Sequence, residues 1–155
     1  MERQVVVFQL NTESYAVEIG GVKEIVRLPE ITQVPHAADY LEGVIDLRGQ
    51  VTAVIDLHRR FGLPEAEVTK DTRVIVLTVG ELQFGVIVDG VTETLTISED
   101  SIDPIGNIAL QIDAEYITGI ARLESMLGIL LDYERVLGAA EREALEELVT
   151  ETAPV

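Results

Sequence analysis

Two histidines, His36 after Pro35 and His58 within Ile55-Asp56-Leu57-His58-Arg59-Arg60, are the side chains best suited to acid–base or metal chemistry, and two are few for either. Asp56 and His58 stand two apart, so on a strand they would share a face and could reach one metal ion, the outline of a small metal-dependent hydrolase. The competing expectation is that Asp56 caps a short helical turn running to Phe61 and that His58 lies solvated on that turn. The absence of cysteine removes thiol nucleophiles, disulfides and Cys-ligated zinc. The serines, at positions 14, 98, 101 and 125, lie in no G-x-S-x-G pattern. Neither G-x-G-x-x-G nor the P-loop pattern occurs, so no glycine loop is set to cradle phosphate. Carboxylates are so abundant that none is singled out as half of a catalytic pair. The residues therefore predict no catalytic site, no bound metal and no cofactor, and they direct attention to surfaces.

What must position any such surface is a core, and the composition supplies one. The 155 residues suit a single compact unit or two small subdomains, and 47% of them are apolar against 25% charged, on the globular side of the boundary with disorder. Eleven Lys and Arg face 28 Asp and Glu, a net charge of −17. Such a chain repels phosphate backbones and anionic headgroups, so nucleic acid is excluded as a partner class. No uncharged run of membrane-spanning length occurs, and the residues after Met1 lack the basic and apolar regions of a secretory signal, so the expectation is cytoplasmic with no direct membrane insertion.

Short Val- and Ile-rich runs separated by turn residues dominate: 5–10, 15–19, 43–47, 51–57, 72–79, 82–88, 91–97, 116–121 and 126–132. Their rhythm predicts an all-β barrel or sandwich. Ile19, Val22, Ile25 and Val26 recur at three- and four-residue spacing between Gly20-Gly21 and Pro29, which predicts a short amphipathic helix after the second strand. Leu137, Ala144, Leu145 and Leu148 form a stripe opposite Glu141, Glu143, Glu146 and Glu147, which predicts a C-terminal helix over 138–150 with a frayed tail.

The chain also repeats itself. A shift of 69 residues pairs Val5 with Val74, Val17 with Val86, Gly21 with Gly90, Val22 with Val91 and Glu24 with Glu93; a shift of 76 pairs Gly43 with Gly119, Asp56 with Asp132, Arg59 with Arg135 and Gly62 with Gly138. Two similar barrels are expected, 11–70 and 71–138, with the strand 4–10 free to join either, and an apolar groove between them open for binding. In the second repeat Glu134 stands where His58 stands in the first, so the cap recurs and the supposed metal ligand does not.

The segment 41–51 reads as an exposed hairpin with Arg48 and Gly49 at its tip; Gly49 would take the unusual backbone angle and Arg48 would project. The second repeat carries Glu124-Ser125 there, so a partner could tell the barrels apart by charge. Part of the stripe Val22, Ile25 and Val26 is expected to remain as an apolar contact patch.

From these residues outward the sequence resembles the CheW family. Tyr15-Ala16-Val17-Glu18-Ile19, Ile31-Thr32-Gln33-Val34-Pro35, Gly43-Val44-Ile45-Asp46-Leu47-Arg48-Gly49-Gln50 and Val54-Ile55-Asp56-Leu57 follow its pattern in order. Gly85-Val86-Ile87-Val88-Asp89-Gly90-Val91 and Tyr116-Ile117-Thr118-Gly119 continue it, so the likeness spans about residues 4–138. The resemblance implies two five-stranded SH3-like barrels packed together. It also implies an adaptor without catalysis that couples the cytoplasmic hairpin tips of chemoreceptors to the regulatory domain of the histidine kinase CheA, recruited to membrane-associated receptor arrays. It carries partner contacts onto Val22, Glu24, Ile25, Val26, Gly43 and Arg48, with Val88 and Val91 lining the groove between barrels. Asp46 departs from the family's usual Asn, and on a strand it would share a face with Arg48 and partly neutralise it. The same resemblance would admit a CheW-like module of a CheA or CheV type protein, although a Met1 start and an acidic C-terminal helix fit a free-standing coupling protein better.

Overall fold

A computed structural model describes residues 1–35, 37–103, 114–124 and 126–152; His36, Ser125 and the tail 153–155 lie outside the described residues. The chain opens with a hairpin, β1 (Glu2–Leu10) and β2 (Glu13–Glu18), followed by one 3-10 turn, Ile19–Gly21, and β3 (Val22–Arg27). A second hairpin, β4 (Leu41–Leu47) and β5 (Gln50–Asp56), leads into the short helix α1 (Leu57–Phe61). Next come β6 (Arg73–Val79), β7 (Leu82–Val88), β8 (Gly90–Ser98), the two-residue β9 (Ile102–Asp103), β10 (Ile117–Leu123), β11 (Met126–Leu131) and the C-terminal helix α2 (Ala139–Thr152).

The expected helix across Ile19 to Val26 is therefore a single 3-10 turn followed by a strand. A four-residue spacing such as Val22 to Val26 satisfies a period of two as well as one of 3.6, and β-branched Val22, Ile25 and Val26 favour the pleat. The strand period wins: Val22, Glu24 and Val26 are half-buried while Lys23, Ile25 and Arg27 face out.

Two sheets form, in the orders β8-β1-β2-β11-β10-β9 and β3-β6-β7-β5-β4. Both curl. β8 and β9 occupy opposite ends of the six-stranded order yet only the 3-10 turn Glu99–Ser101 separates them in the chain, so that sheet must wrap until its edges meet. In the five-stranded sheet the segment leaving β3 returns to the far edge, where Thr32 and Val44 exchange two backbone hydrogen bonds of 2.9 Å.

The repeat holds in every strand but β9, and its halves are interlaced. Matching β1, β2 and β3 to β6, β7 and β8, and β4 and β5 to β10 and β11, turns one sheet order into the other with the hairpins exchanged. Hairpin β1–β2 completes the sheet built from the second half, and β6–β7 completes the sheet built from the first. A division at residue 70 thus does not follow the sheets: β1 and β2 lie with β8 to β11, while β6 and β7 lie with β3 to β5. The register repeats too. Bulges fall between Val22 and Glu24 opposite β6 and between Val7 and Phe8 opposite β8, so that Val22 faces Leu77 and Val91 faces Phe8.

Interlacing explains the unbroken apolar runs. Val5, Val6, Val7 and Phe8 are all buried, with Val5 and Val7 in a small core of the six-stranded sheet and Val6 and Phe8 in a larger one shared between sheets. That shared core holds Val17 and Leu131 from one sheet with Ile75, Leu77 and Val86 from the other, and the residual cavity among them is about 10 Å³, room for one water at most. Where side chains from both sheets meet Tyr133 and Val136 the space between barrels is a filled core, and among the described residues a cleft of about 260 Å³ between the sheets opens instead at Gln9, Arg73, Asp89 and Val91.

Candidate protein-binding site

The hairpin β4–β5 turns through two residues, with Leu47 opposite Gln50. Both central residues take positive φ, 53° at Arg48 and 85° at Gly49, the combination whose twist matches a right-twisted ribbon. Asp46 Oδ1 accepts the Gly49 N–H at 2.7 Å and so braces the turn rather than Arg48. Arg48 reaches across to β3, where its Nη1 donates to Glu24 Oε2 at 2.7 Å. The expected neutralisation of Arg48 by Asp46 is thus replaced by an ion pair with Glu24, which ties the two ends of the curled sheet together. Its partners differ in setting: the Arg48 side chain is 77% exposed and that of Glu24 only 16%. A pair so open to water contributes little to stability, and its arginine stays available to a partner.

Around this pair the structure gathers most of the residues carried over by resemblance. Ile25 faces out beside Lys23 and Arg27, and Val22 and Val26 flank Glu24 on the half-buried side of β3. Beneath, Lys23 Nζ donates to Gln83 Oε1 at 2.5 Å and Gln83 Nε2 donates to buried Thr52 Oγ1 at 3.0 Å, so β3 is fixed to the sheet by a polar chain as well as by its ladder.

Gly43 belongs to the same sheet but not to its surface. A Cβ there would stand 2.3 Å from the Thr32 carbonyl oxygen, so glycine is what lets the returning segment pair with β4. Gly119 has the same duty against the Asp103 carbonyl at 2.6 Å. Val88 is fully buried in the shared core and Val91 packs against its rim, which removes Val88 from any contact surface and leaves Val91 at the margin.

The Asp56–His58 pair proves to be part of a buried cluster. Asp56 caps α1 as expected, accepting the His58 N–H at 2.9 Å, and its equivalent Asp132 accepts the Glu134 N–H at 3.1 Å. The His58 side chain, expected in solvent, is only 3% exposed. Its Nδ1 lies 2.9 Å from Asp56 Oδ1 and its Nε2 lies 2.8 Å from Asp89 Oδ2. Hydrogen bonding to Asp56 pushes the imidazole pKa up, against burial, and Asp89 adds to the rise. Burial alone would push the Asp56 pKa up, but hydrogen bonds from His58 outweigh it and hold the carboxyl below the usual value. Among the described residues no group of three or more His, Asp or Glu is arranged to hold a metal ion.

Sequence reasoning missed two residues here. Asp89 follows β7, thirty-one positions from His58, and no local spacing connects them. Arg60 lies between Tyr40 and Tyr116, its guanidinium 4.9 Å and 5.1 Å from the two ring centres. It also bonds Glu141 of α2 through both terminal nitrogens, at 2.6 and 2.5 Å, and donates Nε–H to the Val136 carbonyl at 2.8 Å. A signal for it was present: Tyr40 and Tyr116 obey the 76-residue offset, and their carbonyls accept from Asp56 N–H and Asp132 N–H, both at 2.9 Å. Repeated tyrosines facing one unrepeated arginine mark a junction between the halves.

Compared with known proteins, residues 4–141 match the family described as CheW-like domain. A Bacillus subtilis protein named Chemotaxis protein CheW is 34% identical over 151 residues, covering 97% of this chain and 94% of that protein. One of the same name from Treponema pallidum is 32% identical, covering 94% of this chain and 88% of its own length. Among solved structures, the scaffolding protein TtCheW from Thermoanaerobacter tengcongensis superposes with a TM-score of 0.82 at 34% identity, covering 90% of each chain. Among the described residues no helix is long and apolar enough to cross a membrane.

Proposed function

The chain belongs to the CheW family, and on that premise we propose that it is a chemotaxis adaptor: it binds the cytoplasmic hairpin tip of a chemoreceptor and the regulatory domain of the histidine kinase CheA, and performs no catalysis itself. The observation that carries this reading is the exposed edge of the five-stranded sheet, where Arg48 projects from a braced turn to pair with Glu24 of β3 and where Ile25 faces outward from that same strand. An exposed apolar side chain and an accessible guanidinium on the same sheet suit a partner that presents both a carboxylate and an apolar surface. Catalysis is left to the kinase, and His58, buried among the described residues, has both ring nitrogens taken up by Asp56 and Asp89.

Co-purification with a chemoreceptor tip fragment and, separately, with a CheA regulatory domain tests the proposal. Retention of both, with loss of receptor retention in Arg48→Glu at an unchanged thermal midpoint, is the expected result. Retention of neither by folded protein would overturn it.

A further inference from the structure

We infer that His58 is a pH-sensitive clasp joining the two interlaced sheets, closed when its ring carries two protons and loosened when it loses one. A neutral imidazole has one N–H and one lone pair, yet both ring nitrogens of His58 face carboxylate oxygens, at 2.9 Å and 2.8 Å. Either neutral tautomer would set a lone pair against a carboxylate on a ring that is only 3% exposed. Only the imidazolium donates to both.

The two carboxylates belong to different parts of the fold. Asp56 closes β5 of the five-stranded sheet and caps α1. Asp89 is the single residue between β7 and β8, the point where the chain leaves the five-stranded sheet for the six-stranded one. Asp89 also grips the β1–β2 turn of the six-stranded sheet at two places: its N–H donates to the Gln9 carbonyl at 2.9 Å, and its Oδ2 accepts the Asn11 N–H at 2.6 Å. His58 therefore holds the crossover residue against α1, and the crossover holds the hairpin contributed by the other half of the chain.

Other charges face the ring as well. Arg59 lies on its own turn, Glu42 on β4, and Glu65 and Glu67 on the segment after α1, all lining the cleft that contains Asp56, His58 and Asp89. Arg59 is engaged by Glu42 at 2.6 Å, by Glu65 at 3.3 Å and by Asp56 itself at 3.5 Å, so one cation is shared among several carboxylates and the field at the ring stays acidic and favours its charged form. The raised imidazole pKa agrees in direction. A group whose folded pKa is raised contributes stability that is complete below its unfolded value and is lost as pH rises through the folded one, so the clasp opens on the alkaline side of 6.5.

The test uses a His36→Gln background, in which His58 is the only imidazole, and the double variant His36→Gln/His58→Gln. Ring proton shifts are followed by NMR from about pH 6 to about pH 9, with urea midpoints and the protection of the Asn11 amide corrected for intrinsic exchange. His58 should titrate above 6.5, and over that titration the urea midpoint and Asn11 protection should both fall, while the double variant shows no such step. A ring titrating at or below 6.5, or equal pH curves for the two variants, would overturn the inference. Should the double variant fail to fold, Asp89→Asn decides the matter: it leaves one carboxylate on the ring and should lower the His58 midpoint, and an unmoved midpoint counts against the clasp.

Discussion

The two sheets share strand order, bulges, a glycine under a returning carbonyl and an aspartate cap, yet differ where those common parts end. After β5 the turn carries His58 and Arg60; after β11 the same turn carries Glu134 and Val136. At the hairpin tips Arg48 stands against Glu124, and both residues take positive φ, 53° and 57°. What recurs is what closing a curled sheet demands. What differs is either the junction between halves or the exposed face, and those are the places where one half must be told from the other.

Breaking a shared part should damage either sheet alike and produce the largest effects. Gly43→Ala drives a Cβ into the Thr32 carbonyl and Gly119→Ala drives one into the Asp103 carbonyl, and each should cost about 3 kcal/mol in urea unfolding. A loss confined to one of them would show that the sheets are less equivalent than their register. Because Gly43 is buried, any lost partner binding in Gly43→Ala should track its lost stability.

Breaking the junction should come next. Arg60→Ala removes a cation from between Tyr40 and Tyr116 and leaves Glu141 without its ion pair, for about 2 to 3 kcal/mol, with faster amide exchange along α2. Its counterpart Val136 offers no such tie, so the effect should be one-sided.

The caps give a smaller, pH-dependent contrast. Asp56→Asn keeps the acceptor for the His58 N–H but removes the charge beside the imidazolium, and should cost about 1 kcal/mol near neutral pH. The folded Asp56 carboxyl titrates below its ordinary 3.8, so its contribution is present above that value and is lost as pH falls through the lower folded one. Unfolding curves at stepwise lower pH should therefore bring wild type and variant together. Asp132→Asn should cost less, because its turn holds no buried cation.

Much of this was legible in the sequence, for identifiable reasons. Strand rhythm and the offsets of 69 and 76 residues revealed the duplication, because Gly43, Asp56 and their partners perform backbone duties that few other residue types can. The helix read across Ile19 to Val26 was an error of period, since a four-residue spacing fits both pleat and helix and the pairing with β6 decides. The interlacing was hidden, because an offset shows which strands correspond and not which partner each hairpin chooses. Arg48 was found at a turn by its glycine neighbour, whereas its partner Glu24 lies on another strand and Asp89 and Arg60 act through contacts far apart in the chain.

Recognition by the first tip rather than the second is the claim on which the functional account rests, and the smallest change in stability tests it. Arg48→Glu and Glu124→Arg are both surface substitutions and should each alter stability by under about 0.5 kcal/mol. Calorimetric titration of each folded variant with a chemoreceptor tip fragment should show binding lost in Arg48→Glu and kept in Glu124→Arg. Full binding by Arg48→Glu, or its loss in Glu124→Arg alone, would contradict the account.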